Sequence, residues 1–453
     1  MGDTSLIGSS LPSSHPLSRL ISANPSCKFL RYHWIDYAGV LRVFISPISH
    51  AVHLLNNGKV IQTGLHGINL PVSGDLPMYL LPNIFGKNEL YPDWSSLRIC
   101  EYAEGNAMVM CCLNETHPIA PHKYTMGFEH DPRTILSKVV TEATQHNLSF
   151  LIGFELEFVL LEQSMEAPAS GTVSGTLSMH ALRNRYLPLL EQSVMQIQSA
   201  GIGIGKFHAE SGLAQFEITT IPLPPMQAID SLVYAQETIR SAASKHGVYA
   251  TFHPKPLLAG HQKNGLHMHF SVESSDTKFV PNKFLAGLLK HLRAMCLFMM
   301  PNTDSYERVE DLFSDRAAHV CWGTENKTAP LRQIRPGYWE SRKIDACANP
   351  YLSVAAHILA GMSGLAADEE PAVKDCDLIL GKATDEELAK YGITEKLPEN
   401  MREAIQATQD DTMFRERFGP AFMDRLIAQR TWEEKSLRKM SDKDRRLLLV
   451  SMF

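Results

Sequence analysis

The chain has 453 residues, 44% of them apolar and 20% charged, with a formal net charge of −6. That length exceeds what one simple core fills, so at least two domains are expected. A slightly acidic balance offers no electrostatic hold to nucleic acid or an anionic membrane, so neither is expected as a partner. The eight cysteines are too few for a disulfide framework. Their only close spacing, Cys111-Cys112, matches no zinc site, so they read as buried thiols of a reducing compartment. The start, MGDTSLIGSSLPSSHPLSRL, lacks a basic end followed by an apolar run and is no secretory signal. The longest apolar stretch, near Met295–Met300, is short and flanked by His291 and Arg293, so no membrane span is expected. A cytoplasmic address follows as the expectation.

Residues 1–23 are rich in Ser and Pro and read as a flexible leader. From Lys28 to about Leu113 the pattern is strand-like. FLRYHWIDYAGVLRVFISP reads as two strands around a Tyr37-Ala38-Gly39 turn, and AMVMCCL as another strand. Between them lies the Gly/Pro-rich stretch GLHGINLPVSGDLP, and Asn114–His122 reads as a linker. We therefore expect a first domain over 24–118 and a larger one over 119–453.

The larger domain opens with a well-marked helix. Asp131 is placed to cap it, Pro132 sits at its first position, and Ile135, Leu136, Val139, Val140 and Ala143 recur at helical spacing. LSFLIGFELEFVLL reads as a strand and Gln163–Ser178 as a loop. Met226–His246 reads as a second helix stopped by Gly247. VYATFH reads as a strand ended by Pro254-Lys255-Pro256, and the chain beyond Asn349-Pro350 as helices. No internal repeat is present.

Five places carry carboxylates, imidazoles or cationic side chains at the spacing of a buried metal site. They are Glu155 and Glu157 in GFELEF, Glu210 and Glu217 in HAESGLAQFEI, His267 and His269 in HMH, Asn326-Lys327 through Arg332, and Glu340-Ser341-Arg342. A strand sends alternate residues to one face, so Glu155 and Glu157 point together, as do His267 and His269, and Glu340 and Arg342. Five converging carboxylates require a compensating charge, which Mg²⁺ or Mn²⁺ supplies best to oxygen ligands. The plainer alternatives are a solvated Glu-x-Glu face, hydrogen-bonded core histidines, and surface pairing of Arg332 and Arg342 with Glu325 and Glu340.

GFELEF, HAESGLAQFEI, ATFHPKP, the HMH strand, WG-x-x-N-K-x-x-x-x-R and E-S-R-x-x-D-A-x-A-N-P-Y-L resemble the glutamine synthetase family in order and spacing from about residue 28 to 365. Within it the chain looks closer to fungal glutamine-synthetase-like proteins, including the C-terminal half of a developmental regulator, than to housekeeping enzymes. The resemblance implies an α+β protein: an N-terminal β-grasp domain, then a catalytic domain built on a curved antiparallel sheet. It also implies a homo-oligomeric ring with active sites between subunits, and small-molecule acid and amine substrates. ATP and Mg²⁺ (or Mn²⁺) are the implied cofactors. By the same resemblance Glu157, Glu210 and Glu217 hold one metal, and Glu155, His267 and Glu340 the other. His269, Ser271, Lys327, Arg332 and Arg342 serve nucleotide and phosphate, with Arg332 also catalytic. Arg308 holds the substrate carboxylate beside Lys263 and Gly265. His208 and Lys255 fall at positions near the nucleotide.

Departures concern substrates more than metals. His66 stands where the family carries an ammonium-binding Asp; an imidazole does not attract ammonium as a carboxylate does, and His66 is expected as a catalytic residue that accepts a proton from a larger attacking amine. Lys263 replaces a glycine beside the acid substrate. The flap glutamate is missing, leaving Asp311 or Asp315 as substitutes, with Asp315 the expected catalytic acid. Lys327 and Tyr338 stand for two phosphate-site arginines, and lysine lacks the bidentate fork. The first reading is a ligase that activates a carboxylate as an acyl phosphate and joins it to an amine, with an acid, an amine or both that are non-standard. The alternatives are a true glutamine synthetase, using glutamate, ammonia and ATP, and a catalytically silent scaffold or regulator.

Overall fold

The computed structural model describes residues 11–74, 86–117, 126–258, 262–309 and 318–453. The fold is α+β and contains two sheets. The first has five strands, β1 (Phe29–Ile35), β2 (Leu41–Pro47), β3 (Ile61–Gly64), β4 (Lys87–Ile99) and β5 (Asn106–Thr116), in the order β2-β1-β5-β4-β3. β1 and β5 run parallel and the other neighbours antiparallel. The expected turn joins β1 to β2. Gly39 there takes φ 84°, and a Cβ on it would lie 2.2 Å from the Cys347 carbonyl oxygen. Only glycine allows both the left-handed backbone and so close an approach to the larger domain.

The second sheet carries the candidate site. Its strands are β6 (Leu148–Leu161), β7 (Ile204–Ala209), β8 (Gln215–Thr220), β9 (Tyr249–Thr251), β10 (Leu266–Ser274), β11 (Trp322–Thr324), β12 (Leu331–Arg335) and β13 (Tyr338–Ser341). The order is β11-β12-β13-β10-β6-β8-β7, with β9 also on β6. Pairing is antiparallel except between β11 and β12, which are parallel. In β6 the side chains of Phe154, Leu156 and Phe158 are buried while Glu155 and Glu157 are partly open. The period of two thus splits the strand into a core face and a chemical face.

Helices cover the core face. Asp131 caps the helix Pro132–Gln145 by accepting from the Thr134 backbone N–H at 2.8 Å. The helix Pro350–Ala366 is buried almost all round, as befits its composition, and packs on the helix Pro281–Met299. Their approach is close: a Cβ on Gly287 would fall 2.0 Å from the Ala360 carbonyl oxygen. Asn349 caps Pro350–Ala366 through the N–H groups of Tyr351 and Leu352, and its amide donates to the Asp36 carbonyl at 2.9 Å. One side chain thus ends a helix and ties it to the β1–β2 turn. Asn349→Ala is expected to cost about 2 kcal/mol, the loss of a cap plus a buried hydrogen bond. A urea melt whose midpoint stays at the wild-type value refutes this.

Several expectations are corrected. The expected flexible leader contains a helix, Pro16–Ala23, whose Leu17 is fully buried. Leu17, Leu20 and Ile21 are spaced to make one apolar stripe, which pins the segment to the core. The expected linker from Asn114 begins inside β5, which continues to Thr116. The Gly/Pro-rich interval precedes an unexpected 13-residue strand, β4, with a register shift between Asp93 and Arg98. Asp311 and Asp315 lie outside the described residues.

Candidate active site

Strand register assembles the site. His267 pairs with Glu155 across β10 and β6, and Glu157 with Glu217 across β6 and β8. His208 pairs with Glu217 across β7 and β8, His269 with Glu340 across β10 and β13, and Arg332 with Glu340 across β12 and β13. Directly paired residues have their Cβ atoms about 5 Å apart on one face, so six strands contribute to one charged band.

Within it, His267 Nδ1 lies 3.0 Å from Glu155, 3.4 Å from Glu340 and 3.6 Å from Glu157. His269 Nε2 lies 3.0 Å from Glu155, and its Nδ1 2.8 Å from the Tyr338 hydroxyl. Gly265 N–H donates to Glu157 at 2.9 Å. His208 lies 3.4 Å from Glu210 and 3.2 Å from Glu217. Burial raises Glu155 and Glu340, but the histidines at Glu155, and Arg342 with His267 at Glu340, hold both carboxyls below the usual range. The other end is different. Burial, then the charges of Glu155, Glu157 and Glu210, push Glu217 up to about 8; burial and Glu157 raise Glu210 as well. That end concentrates negative charge without an adequate counter-charge.

The donor set fits divalent cations. Ligand atoms of Glu155, His269 and Glu340 lie within 4.8 Å of one another, and so do those of His208, Glu210 and Glu217. Oxygen-rich sets with a single imidazole suit Mg²⁺ or Mn²⁺. These two groupings overlap the expected sets without matching them. Glu157 flanks the second grouping through its pairing with Glu217. His267 Nδ1 lies within 3.6 Å of Glu155, Glu157 and Glu340, and His269 joins Glu155 and Glu340 in a grouping whose ligand atoms lie within 4.8 Å of one another. Sequence reading placed His208 with the nucleotide and missed it here, although His208 and Glu210 alternate as strand neighbours do. A Cβ on Gly265 would lie 2.7 Å from His267 Nε2 and 3.1 Å from Glu157 Oε1. Gly265→Ala is therefore expected to displace both and weaken Mg²⁺ binding about tenfold, the usual scale for disturbing ligand support. Calorimetry giving unchanged Mg²⁺ affinity counts against it.

The arginines gather at the Glu340 end. Arg332 Nη1 donates to Glu340 at 2.9 Å, and Arg332 also bonds Glu325, whereas Arg342 bonds the other Glu340 oxygen. Arg308 is buried on the helix Thr303–Val309 and donates to the carbonyls of Lys343 at 2.7 Å and Ile344 at 3.2 Å. It grips the segment that carries Arg342. Lys343, not singled out from the sequence, joins this cationic group. Burial, then Arg308 and Arg342, bring its amine down to about 7.

Ser271 shares the β10 face of His267 and His269 and pairs with Tyr338. The Lys263 carbonyl accepts from Gln215 at 2.8 Å, which fixes the turn before Gly265. Lys327 is exposed, while its neighbour Asn326 donates to the carbonyls of Cys376 and Leu378. Lys255 lies in a separate network, 2.9 Å from Glu307. His66 is not brought to this band. It is exposed on the short helix His66–Asn69, and among the described residues no hydrogen bond or ion pair joins it to the carboxylates.

Comparison with known proteins identifies the family and the fold. Residues 129–446 match the family model "Glutamine synthetase, catalytic domain". Protein fluG of Emericella nidulans is 28% identical over 98% of this chain and 51% of its own length, so the chain spans about half of that protein. The glutamate–methylamine ligase of Methyloversatilis universalis is 26% identical over 92% of this chain and 94% of its own. The glutamine synthetase of Pyrococcus abyssi is 28% identical over 67% and 71%. A solved structure of GmaS without ligand superposes with a TM-score of 0.78 at 21% identity, covering 95% of this chain and 98% of that one, a likeness of fold. No helix among the described residues is long and apolar enough to cross a membrane. With the match spanning well over half of its length, the chain belongs to the glutamine synthetase catalytic-domain family.

Proposed function

We propose that this protein is an ATP-dependent ligase that joins a carboxylic acid to an amine larger than ammonia. The observation that carries the reading is a retained charged band in a chain whose substrate positions are altered. Glu155, Glu157, Glu210, Glu217, Glu340, His208, His267 and His269 meet on one sheet face. By sequence position, His66, Lys263 and Tyr338 replace the residues the family uses for ammonium, acid and phosphate; Tyr338 borders the band through His269, and His66 lies apart from the band of its own chain.

A carboxylate is a poor electrophile and has first to take the γ-phosphoryl group of ATP, releasing ADP. The amine then attacks the acyl phosphate, loses a proton, and gives an amide and inorganic phosphate. The first step brings two anions together; divalent ions, which Glu155, His269 and Glu340 and His208, Glu210 and Glu217 would hold, would supply neutralising charge there. Arg332 and Arg342 offer guanidinium donors to phosphoryl oxygens at the same end. Arg308 holds the acid's carboxylate and, through the carbonyls of Lys343 and Ile344, the position of Arg342. Tyr338 replaces a cation with a phenol that fixes the His269 ring. In this scheme residues 24–118 form the β-grasp domain, 119–453 the catalytic domain, and the working particle is a homo-oligomeric ring.

The glutamate–methylamine ligase relative makes glutamate and methylamine the first pair to try. The test is ATP turnover with Mg²⁺ over a panel of acids and amines, reading amide by mass. Amide from an alkylamine at least ten times faster than from ammonia is the expected result. Faster glutamine formation favours ordinary glutamine synthesis, and absence of both amide and ADP favours a silent scaffold.

A further inference from the structure

The helix Asp442–Met452 turns two arginines inward, Arg445 and Arg446, and both are buried. Arginine is almost never so buried unless it is paired. Arg446 Nη1 donates to the Lys255 carbonyl at 2.6 Å and the Leu257 carbonyl at 3.1 Å, and Nη2 to Glu307 at 3.0 Å. Its Nε lies 2.9 Å from one oxygen of Asp304. Arg445 Nε donates to the other Asp304 oxygen at 3.0 Å, and Nη2 to Glu307 at 3.1 Å. Lys255 Nζ donates to Glu307 at 2.9 Å. His253 lies 3.3 Å from Asp304, but burial, then Arg446, bring its imidazole down to about 3, so it is neutral. The arginines therefore answer the Asp304 charge.

Both carboxylates of this lock stand on the helix Thr303–Val309. With seven residues that helix is too short to hold itself and depends on what grips it. Arg308 follows Asp304 by four positions and so lies on the same side. It donates in turn to the carbonyls of Lys343 and Ile344. A second route leads from the lock to the charged band. The carbonyls of His253 and Pro254, just before the gripped segment, accept from the Asn264 side chain at 3.0 Å and its backbone N–H at 2.9 Å. Gly265, next along, donates to Glu157.

We propose that Arg445 and Arg446 are positioning residues for the acid substrate. They set Arg308 through Asp304 and Glu307, and Arg446 sets the Lys263–Gly265 turn through the Lys255 and Leu257 carbonyls. The inference rests on the ligase reading, in which Arg308 and that turn receive the acid. Neither arginine belongs to the charged band, so their effect falls on where the acid lies rather than on metal or nucleotide. A guanidinium is required because its planar fork holds two carbonyls and two carboxylates at once, which an ammonium cannot do.

The test is steady-state kinetics on the full chain with Mg·ATP and the best acid–amine pair. Arg446→Lys keeps the charge and loses the fork. Glu307→Gln keeps the shape at a partly open position and weakens the contacts of Lys255, Arg445 and Arg446 together. In each variant the KM for the acid is expected to rise roughly tenfold or more, with the KM for Mg·ATP within about twofold of wild type. Lys443→Gln, on the same helix but paired outward with Glu166, is expected to leave both constants unchanged. An arginine that only stabilised the fold would lower Tm and the amount of active protein, and leave every KM where it was. Unchanged acid KM in Arg446→Lys and Glu307→Gln overturns the proposal, as does an equal rise in both constants. A wild type that makes no amide removes the ligase reading and this inference with it. A wild type that makes amide while the variants keep its acid KM removes this inference alone.

Discussion

Replacing Glu155 and Glu340 together with alanine is expected to lower ligase turnover by roughly 1000-fold or more, since metal stabilisation of a transferring phosphoryl group is worth several kcal/mol. Both carboxylates belong to the triad with His269, and Glu340 also orients Arg332 and Arg342. Their loss removes cation ligands and frees two guanidinium groups from a shared partner. Mg·ATP affinity is expected to fall at least tenfold in the same variant. Folding is expected to survive, because the removed charges face one another across the band and Phe154, Leu156 and Trp339 beneath them keep their packing. Calorimetry and steady-state kinetics on the folded variant decide it. Wild-type Mg·ATP affinity in the double variant would refute a metal role for this face.

Much of that face was legible before any coordinates. Alternation along GFELEF and HMH fixes which side chains share a side, since the strand period leaves no freedom. What alternation cannot supply is register, which is set between strands distant in sequence. The placement of His208 opposite Glu217, and of His269 opposite Glu340, depends on it. The burial of Arg308 against the Lys343 carbonyl is of the same kind, as nothing in NTDSYERV states which backbone it will meet.

The missed elements have their own causes. β4 carries Pro92, Asp93 and two serines, a composition that reads as a loop, and its pairing with β3 and β5 overrides that local preference. The helix Pro16–Ala23 was hidden by Ser and Pro flanks, although His15 caps it and Pro16 sits where proline suits a helix start. By contrast Asp131-Pro132 and Asn349-Pro350 announced their helices correctly, because capping is a local matter of side chain and adjacent N–H groups.

Ile45→Lys is expected to break the assembly and, with it, amide synthesis. β2 is an edge strand of the first sheet, yet it exposes three consecutive apolar side chains, Val43, Phe44 and Ile45. Natural edges are ordinarily blunted by charge, proline or a covering element; here Arg42 is tied to Asp36 and Pro47 stands only at the strand's end, so the apolar run between them calls for a partner. A second copy of this chain is the occupant argued for, because His66, on the same sheet's short helix, lies apart from the charged band of its own chain. If each site needs a neighbour's first sheet, a dispersed subunit keeps its metal ligands but lacks part of its acceptor pocket. A lysine on the edge places a charge where burial would be costly. Light scattering is expected to report subunits of single-chain mass, with amide formation reduced more than 100-fold, given that misplacing reacting groups by about 1 Å already costs 100-fold. Mg·ATP affinity is expected to stay near wild type, since the band lies within one chain. A dispersed variant that still makes amide would remove the shared site, and an assembled, active variant would show that the β2 edge is not the contact.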